Sequence, residues 1–170
     1  MPSQVNADII KGQTTATLVT IPNHIIQAVG TKQGTGTAQN ATTSWTSTGF
    51  YESITPSSTS SKILIMANIC GYQSTASQYY MVNMYRHTAA VAADGAVAGT
   101  QLFNDTNGFG VIYGNSGDRF GNTTCFYIDS PSSTSEVFYN AYHKEGGGTG
   151  QFDSVSADST IVLLEIGGNV

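Results

Sequence analysis

The stretch Ile54-Thr55-Pro56-Ser57-Ser58-Thr59-Ser60-Ser61-Lys62-Ile63-Leu64-Ile65 decides the fold. An apolar run stops, a proline and a string of hydroxyl-bearing residues pass, and a second apolar run begins. A strand–loop–strand connection reads this way. Five letters of it, Pro-Ser-Ser-Thr-Ser, return at residues 131–135, between Tyr127-Ile128-Asp129 and Val137-Phe138-Tyr139. Proline has no N–H to give to a ladder, so it sits at a strand's exit. Serine and threonine hydroxyls satisfy backbone groups in the turn that follows. The two copies are expected at one end of a sandwich, as equivalent arches.

Working outward, the strongest strand signal runs from Lys62 to Tyr72. Its near-continuous apolar run predicts burial on both faces, or one face in the core and the other under a neighbour. Upstream, Ile25, Gln27, Val29 and Thr31 alternate with Ile26, Ala28 and Gly30, and a Gly/Thr turn follows at residues 34–37. Downstream, Tyr79, Met81, Asn83 and Tyr85 alternate with Tyr80, Val82, Met84 and Arg86. Residues 89–99 (AAVAADGAVAG) read as a long excursion or one short helical turn. Further strands are expected near 109–113, 122–129, 136–143 and 159–166. About eight short strands with no convincing helix predict an all-β chain. The expected architecture is a jelly-roll-like antiparallel β-sandwich over residues 23–170, with an extended N-terminal arm over residues 1–22. Composition agrees. Only 10% of the 170 residues are charged, against about 25% in ordinary domains, so the usual helix-surface residues are scarce.

The arm carries Val5, Ile9, Ile10, Leu18, Val19 and Ile21 dispersed among polar residues. Such a segment forms no core alone. It docks on the domain or on another subunit, with a short dimerising helix over residues 3–11 as the alternative.

Net charge is −5, which argues against nucleic-acid binding through phosphates and against an anionic membrane surface. No apolar run is long enough for a membrane span. The first residues have neither the basic nor the apolar region of a signal peptide, so synthesis in a cytoplasm is expected. Cys70 and Cys125 are read as two buried thiols. A bridge requires their α-carbons within about 7 Å.

No catalytic residue, cofactor site or metal site is expected. There is no Gly-x-Ser-x-Gly elbow and no His-Glu-x-x-His. His143 with Glu145 beside the Gly-rich loop at 146–150 is the nearest thing to a catalytic pair, and a surface histidine at a strand end explains it as well. Asp105-x-Asn107-Gly108 lacks the later bidentate glutamate of a calcium loop and fits ordinary turn chemistry. Three aromatics are candidates for surface binding, with a sugar as the ligand: Trp45, Tyr79 and Tyr80. Adjacent strand residues face opposite sides, so at least one of the tyrosine pair points away from any one core face.

Three segments carry a family likeness: residues 54–65, Phe126-Tyr127-Ile128-Asp129-Ser130-Pro131, and Ile161-Val162-Leu163-Leu164-Glu165-Ile166-Gly167-Gly168. In order and spacing they resemble bacteriophage tail-fibre and other virion structural proteins, especially those of marine phages, over roughly residues 24–168. The resemblance implies a β-sandwich that assembles as a homotrimer on the outside of a phage particle, with no catalytic residues. The expected partners are other copies of the chain, other virion proteins through the N-terminal arm, and a host-surface glycan. The chain shows no shaft, collagen-like or coiled-coil repeat, which raises capsid decoration beside the tail fibre or spike. A stand-alone lectin is the third reading.

Overall fold

In the computed structural model, the described residues are 24–33, 39–95, 98–116, 118–152 and 158–167. The six apolar residues of the proposed arm and the turn at 34–37 lie outside them. The strands are β1 (Ile25–Gln33), β2 (Gln39–Asn40), β3 (Thr46–Ile54), β4 (Lys62–Gln73), β5 (Gln78–His87), β6 (Thr100–Gln101), β7 (Gly110–Gly114), β8 (Arg119–Asp129), β9 (Val137–Glu145), β10 (Gly150–Phe152) and β11 (Ser159–Ile166).

These segments form two antiparallel sheets. In the first, β4 pairs with β8 along one side. Along its other side it pairs first with β11 and then with β10. β1 lies beyond β11, and β2 beyond β10. In the second, β9 lies between β3 and β5, and the far side of β5 takes β7 and then β6. Three pairs, β1/β2, β6/β7 and β10/β11, are thus single strands interrupted by loops, and the eleven segments occupy eight lanes. Numbered along the chain, the lanes run 1-8-3-6 in the first sheet and 2-7-4-5 in the second. Two packed four-stranded sheets in this order are a jelly roll, as the sequence indicates.

The core lies between the sheets. β4 contributes Ile63, Ile65, Ala67 and Ile69, and β11 contributes Ile161 and Leu163. They meet Tyr80, Val82 and Met84 of β5 and Val137, Tyr139 and Ala141 of β9. Each such aliphatic side chain contributes about 1.5–3 kcal/mol on burial. Tyr80 lies across Gly71, where an added Cβ would overlap its ring. The glycine is the gap in β4 that the tyrosine fills.

Both repeated words sit at one end of the sandwich. Ile54, just before the first, pairs with Val137, just after the second. Ile63, after the first, pairs with Asp129, before the second. The paired ribbon made by β3–β4 and β8–β9 therefore crosses from one sheet to the other at this corner, and both of its strands make the same bend. In each copy the third residue's hydroxyl accepts from the fifth residue's N–H: Ser60 N–H to Ser58 Oγ at 3.2 Å, and Ser135 N–H to Ser133 Oγ at 3.0 Å.

Two ionic knots hold this corner. Glu165, fully buried, accepts from Ser57 N–H (2.7 Å), Ser57 Oγ (2.6 Å) and Gln27 Nε2 (2.7 Å). Burial alone would raise its pKa. The bonds from Ser57, Ser61 and Gln27 outweigh that and hold it below the usual range. Arg86 Nη1 donates to both Asp129 oxygens (2.9 and 2.7 Å), and Tyr139 Oη donates to Asp129 Oδ2 (2.8 Å). This second knot ties β8 of one sheet to β5 and β9 of the other.

Residues 88–95 cross the outer face of the second sheet, and 98–109 return along its β5 edge, where β6 lies and Leu102 enters the core. The Val91 carbonyl accepts from Ser47 Oγ and Asn140 Nδ2 (both 3.2 Å), and Asn83 Nδ2 donates to the Phe103 carbonyl at 2.9 Å. On this outer face Tyr85, Tyr142 and His87 are buried. The excursion reading holds, and residues 89–95 and 98–99 carry no helical turn.

Candidate functional site

The strand alternation fixes which side chains leave the core. On the outer face of the first sheet, Leu64 of β4 stands between Leu164 and Ile128, and Met66 between Val162 and Phe126. Ala28 and Gly30 of β1 continue the two rows. None of these eight residues is charged or polar. Phe126 is 69% exposed and Ile128 55%. The long apolar run of β4 therefore has one side in the core, and its other side lies in an open apolar face. Sequence reasoning left that choice undecided. Its available signal was that both parities of β4, β8 and β11 are apolar in a chain with few charges to spend on a surface.

A second apolar patch lies on the outer face of the other sheet. Tyr79 pairs with Tyr113, ring centroids 4.9 Å apart, and Val111 is next along β7. Their exposures are 47%, 43% and 42%. The two patches flank the same edge of the sandwich, because β7 and β8 are the edge strands that face each other. A Cβ on Gly121 of β8 would lie 3.3 Å from Ile112 of β7. Isolated exposed apolar residues are ordinary. A contiguous patch on each side of one edge is the kind of surface that protein contacts use.

The three aromatic candidates separate. Tyr79 is exposed, as a surface role requires. Tyr80 is fully buried, with its hydroxyl 3.3 Å from His143 Nδ1, so it offers nothing to a ligand. The period of two sends one tyrosine of the pair out and the other in. Trp45, just before β3, is half-buried. Lys144 Nζ lies 4.8 Å from its ring centroid, a cation–π contact.

Trp45 and Lys144 form one wall of an open cleft of 640 Å³ on the outer face of the second sheet. Tyr85, Gln101, Asp94 and Thr43 also line it. Local hydrogen bonds set these positions. Thr42 Oγ1 accepts from Ser44 N–H at 3.3 Å and donates to the Ser44 carbonyl at 2.9 Å, which fixes the turn before Trp45. The Asp94 N–H donates to the Ser47 carbonyl at 2.8 Å, and Ser47 N–H to the Gly95 carbonyl at 3.0 Å. This clasp holds Asp94 in the left-handed region, at φ 59°. Gln101 Nε2 donates to the Phe103 carbonyl at 2.6 Å.

The other candidates have structural explanations. His143 lies inside the core, not at the surface as its place near a strand end suggested. Burial lowers its pKa to about 4. Glu145 accepts from Gly150 N–H at 2.8 Å and closes the Gly-rich loop. Asp105 Oδ1 accepts from Asn107 N–H at 2.8 Å, which is turn chemistry. Cys70 and Cys125 are buried on opposite faces of the first sheet and form no disulfide. Burial raises the Cys125 thiol to about 12.

No protein-family model matches the chain, and no curated protein shows significant similarity to it. Among solved structures, a chain in the structure of the infectious bursal disease virus Gx strain aligns with 99% of this chain, at 11% identity and a TM-score of 0.45. The chain spans 40% of that viral chain's length.

Proposed function

We propose that the chain is a structural protein on the exterior of a virus particle, assembled as a homotrimer. The pair of apolar flanks on the β7/β8 edge carries the reading. An isologous dimer built on one flank leaves the other in water. A closed ring gives each copy two different neighbours, with the shared edge toward the axis, so that Phe126 and Ile128 of one copy meet Tyr79, Val111 and Tyr113 of the next; the resemblance to trimeric virion proteins sets its size at three. Heterologous contacts that close in this way make rings. The occupant of each flank is therefore a second copy of the chain.

Placement on a virion is supported by the resemblance of the two Pro-Ser-Ser-Thr-Ser corners and of the last strand to phage virion proteins. The jelly roll is consistent with that placement, since it recurs in viral capsid and lectin domains, although a fold by itself assigns no function. On the particle, the resemblance favours a tail fibre or spike anchored through residues 1–22. Capsid decoration is the alternative.

Sedimentation should give a mass near three times 17.9 kDa. Phe126→Asp and Tyr113→Asp should each lower it, because either flank is half of every contact. A monomer at all concentrations, or a dimer that survives one of the two changes, overturns the ring. Antibody–gold labelling of the virus particles separates tail from head, and particles without gold refute the virion assignment.

A further inference from the structure

We propose that the cleft beside Trp45 binds a saccharide. The cleft has room for one or two sugar rings, and binding sites of this size are common. Its lining mixes apolar surface with several polar groups. The half-buried indole stands over a floor that the buried Tyr85 helps to form, and is accompanied by an ammonium (Lys144), a carboxylate (Asp94), an amide (Gln101) and a hydroxyl (Thr43). A sugar presents an apolar C–H face to an aromatic ring and hydroxyls, each both donor and acceptor, to the groups around it. The lining supplies both kinds of partner. A phosphate or other strong anion fits less well, because Asp94 shares the cleft with Lys144 and the chain is acidic overall.

The polar groups are also pre-set, which limits the ordering cost of binding. Asp94 is clamped at positive φ by two backbone hydrogen bonds to β3. A non-glycine residue there is costly unless its surroundings hold it, and such strain collects at binding sites. The Gln101 amide is oriented by its bond to Phe103, and the turn before Trp45 by Thr42. Lys144 Nζ lies 4.8 Å from the indole centroid, so the ring sits beside a group able to donate to a sugar hydroxyl.

Trp45 is the single tryptophan of the chain, so all tryptophan emission reports on this cleft. The test is fluorescence titration of the full chain with N-acetylglucosamine, galactose, rhamnose, glucuronic acid and purified lipopolysaccharide. At least one should give a saturable change with a dissociation constant in the millimolar range or tighter. Asp94→Gly, which keeps the positive φ, and Gln101→Ala should each weaken it about tenfold while urea midpoints stay close to wild type. Absence of a saturable change with every probe overturns the proposal, and so does a change that persists in the Asp94→Gly/Gln101→Ala double variant. The titration is independent of oligomeric state and of any particle, so its failure leaves the trimer and virion readings to their own tests.

Discussion

Replacing Asp129 with alanine should unfasten the two sheets at the corner. Asp129 is 9% exposed at its side chain and Arg86 22%. The carboxylate accepts two bonds from Arg86 and one from Tyr139, so alanine strands a guanidinium and a phenol in a largely dry place. Removing one partner of a buried pair costs about 3–5 kcal/mol, mostly as the penalty on the group left behind. A domain of this kind has about 5–15 kcal/mol in total. The cost should therefore appear as a large fall in the urea midpoint, followed by Trp45 emission at fixed protein concentration. The same account makes a second demand. If the penalty comes from the stranded groups, removing them as well should restore stability. The triple variant Arg86→Met/Asp129→Leu/Tyr139→Phe should lie within about 1 kcal/mol of wild type. An Asp129→Ala cost below about 1 kcal/mol, or a triple variant as unstable as the single, refutes the reasoning.

Further tests address the buried histidine, the Glu165 knot and the glycine gap. His143 has a folded pKa near 4 against about 6.5 unfolded, so the unfolded state binds the extra proton. Its neutral burial is fully stabilising above pH 6.5 and is lost as pH falls toward 4, by about 3 kcal/mol. His143→Phe should remove that slope, and identical slopes in urea melts across this window would count against it. Glu165 acts lower. Its depressed folded pKa contributes stability above the unfolded value near 4.5 that is lost as pH falls below it, and Glu165→Gln should abolish that second limb. Gly71→Ala should cost about 1–3 kcal/mol by pushing the buried Tyr80 ring aside. A neutral result there would mean that β4 shifts freely.

Much of the fold is legible in the residues because a strand's period shows directly which side chains share a face. The alternation in 78–87 placed Tyr79 and Tyr80 on opposite sides, and the apolar run at 63–70 located the central strand. What periodicity does not carry is the identity of the layer on each side. For β4 the inner layer is core and the outer one is an open face, yet Ile63 and Leu64 are almost the same chemistry. His143 shows the converse. A polar residue at a strand end looks like surface until its lane proves to be central, between β3 and β5. The Trp45 cleft was half legible. The lone tryptophan stood out, but Asp94 and Gln101 reach it only through the excursion across the second sheet, a contact that no local pattern encodes.

The repeated word is where local and global structure agree, and it can be tested letter by letter. If the spelling recurs because two paired strands turn one corner together, equivalent letters should matter equally where they do the same job. Ser58 and Ser133 each accept one N–H from two residues on, so Ser58→Ala and Ser133→Ala should each cost about 0.5–1 kcal/mol. The second letters should differ, because their surroundings do. Ser57 gives both its N–H and its hydroxyl to the buried Glu165, whereas Ser132 stands in the left-handed region at φ 52°. Ser57→Ala should then cost about 1.5–3 kcal/mol, as befits a bond to a buried charge. Ser132→Gly should cost nothing or stabilise, since glycine relieves the left-handed strain. Urea melts of the four variants decide it. Equal costs at Ser57 and Ser132, or unequal ones at Ser58 and Ser133, would mean that the repeat is not set by a shared corner.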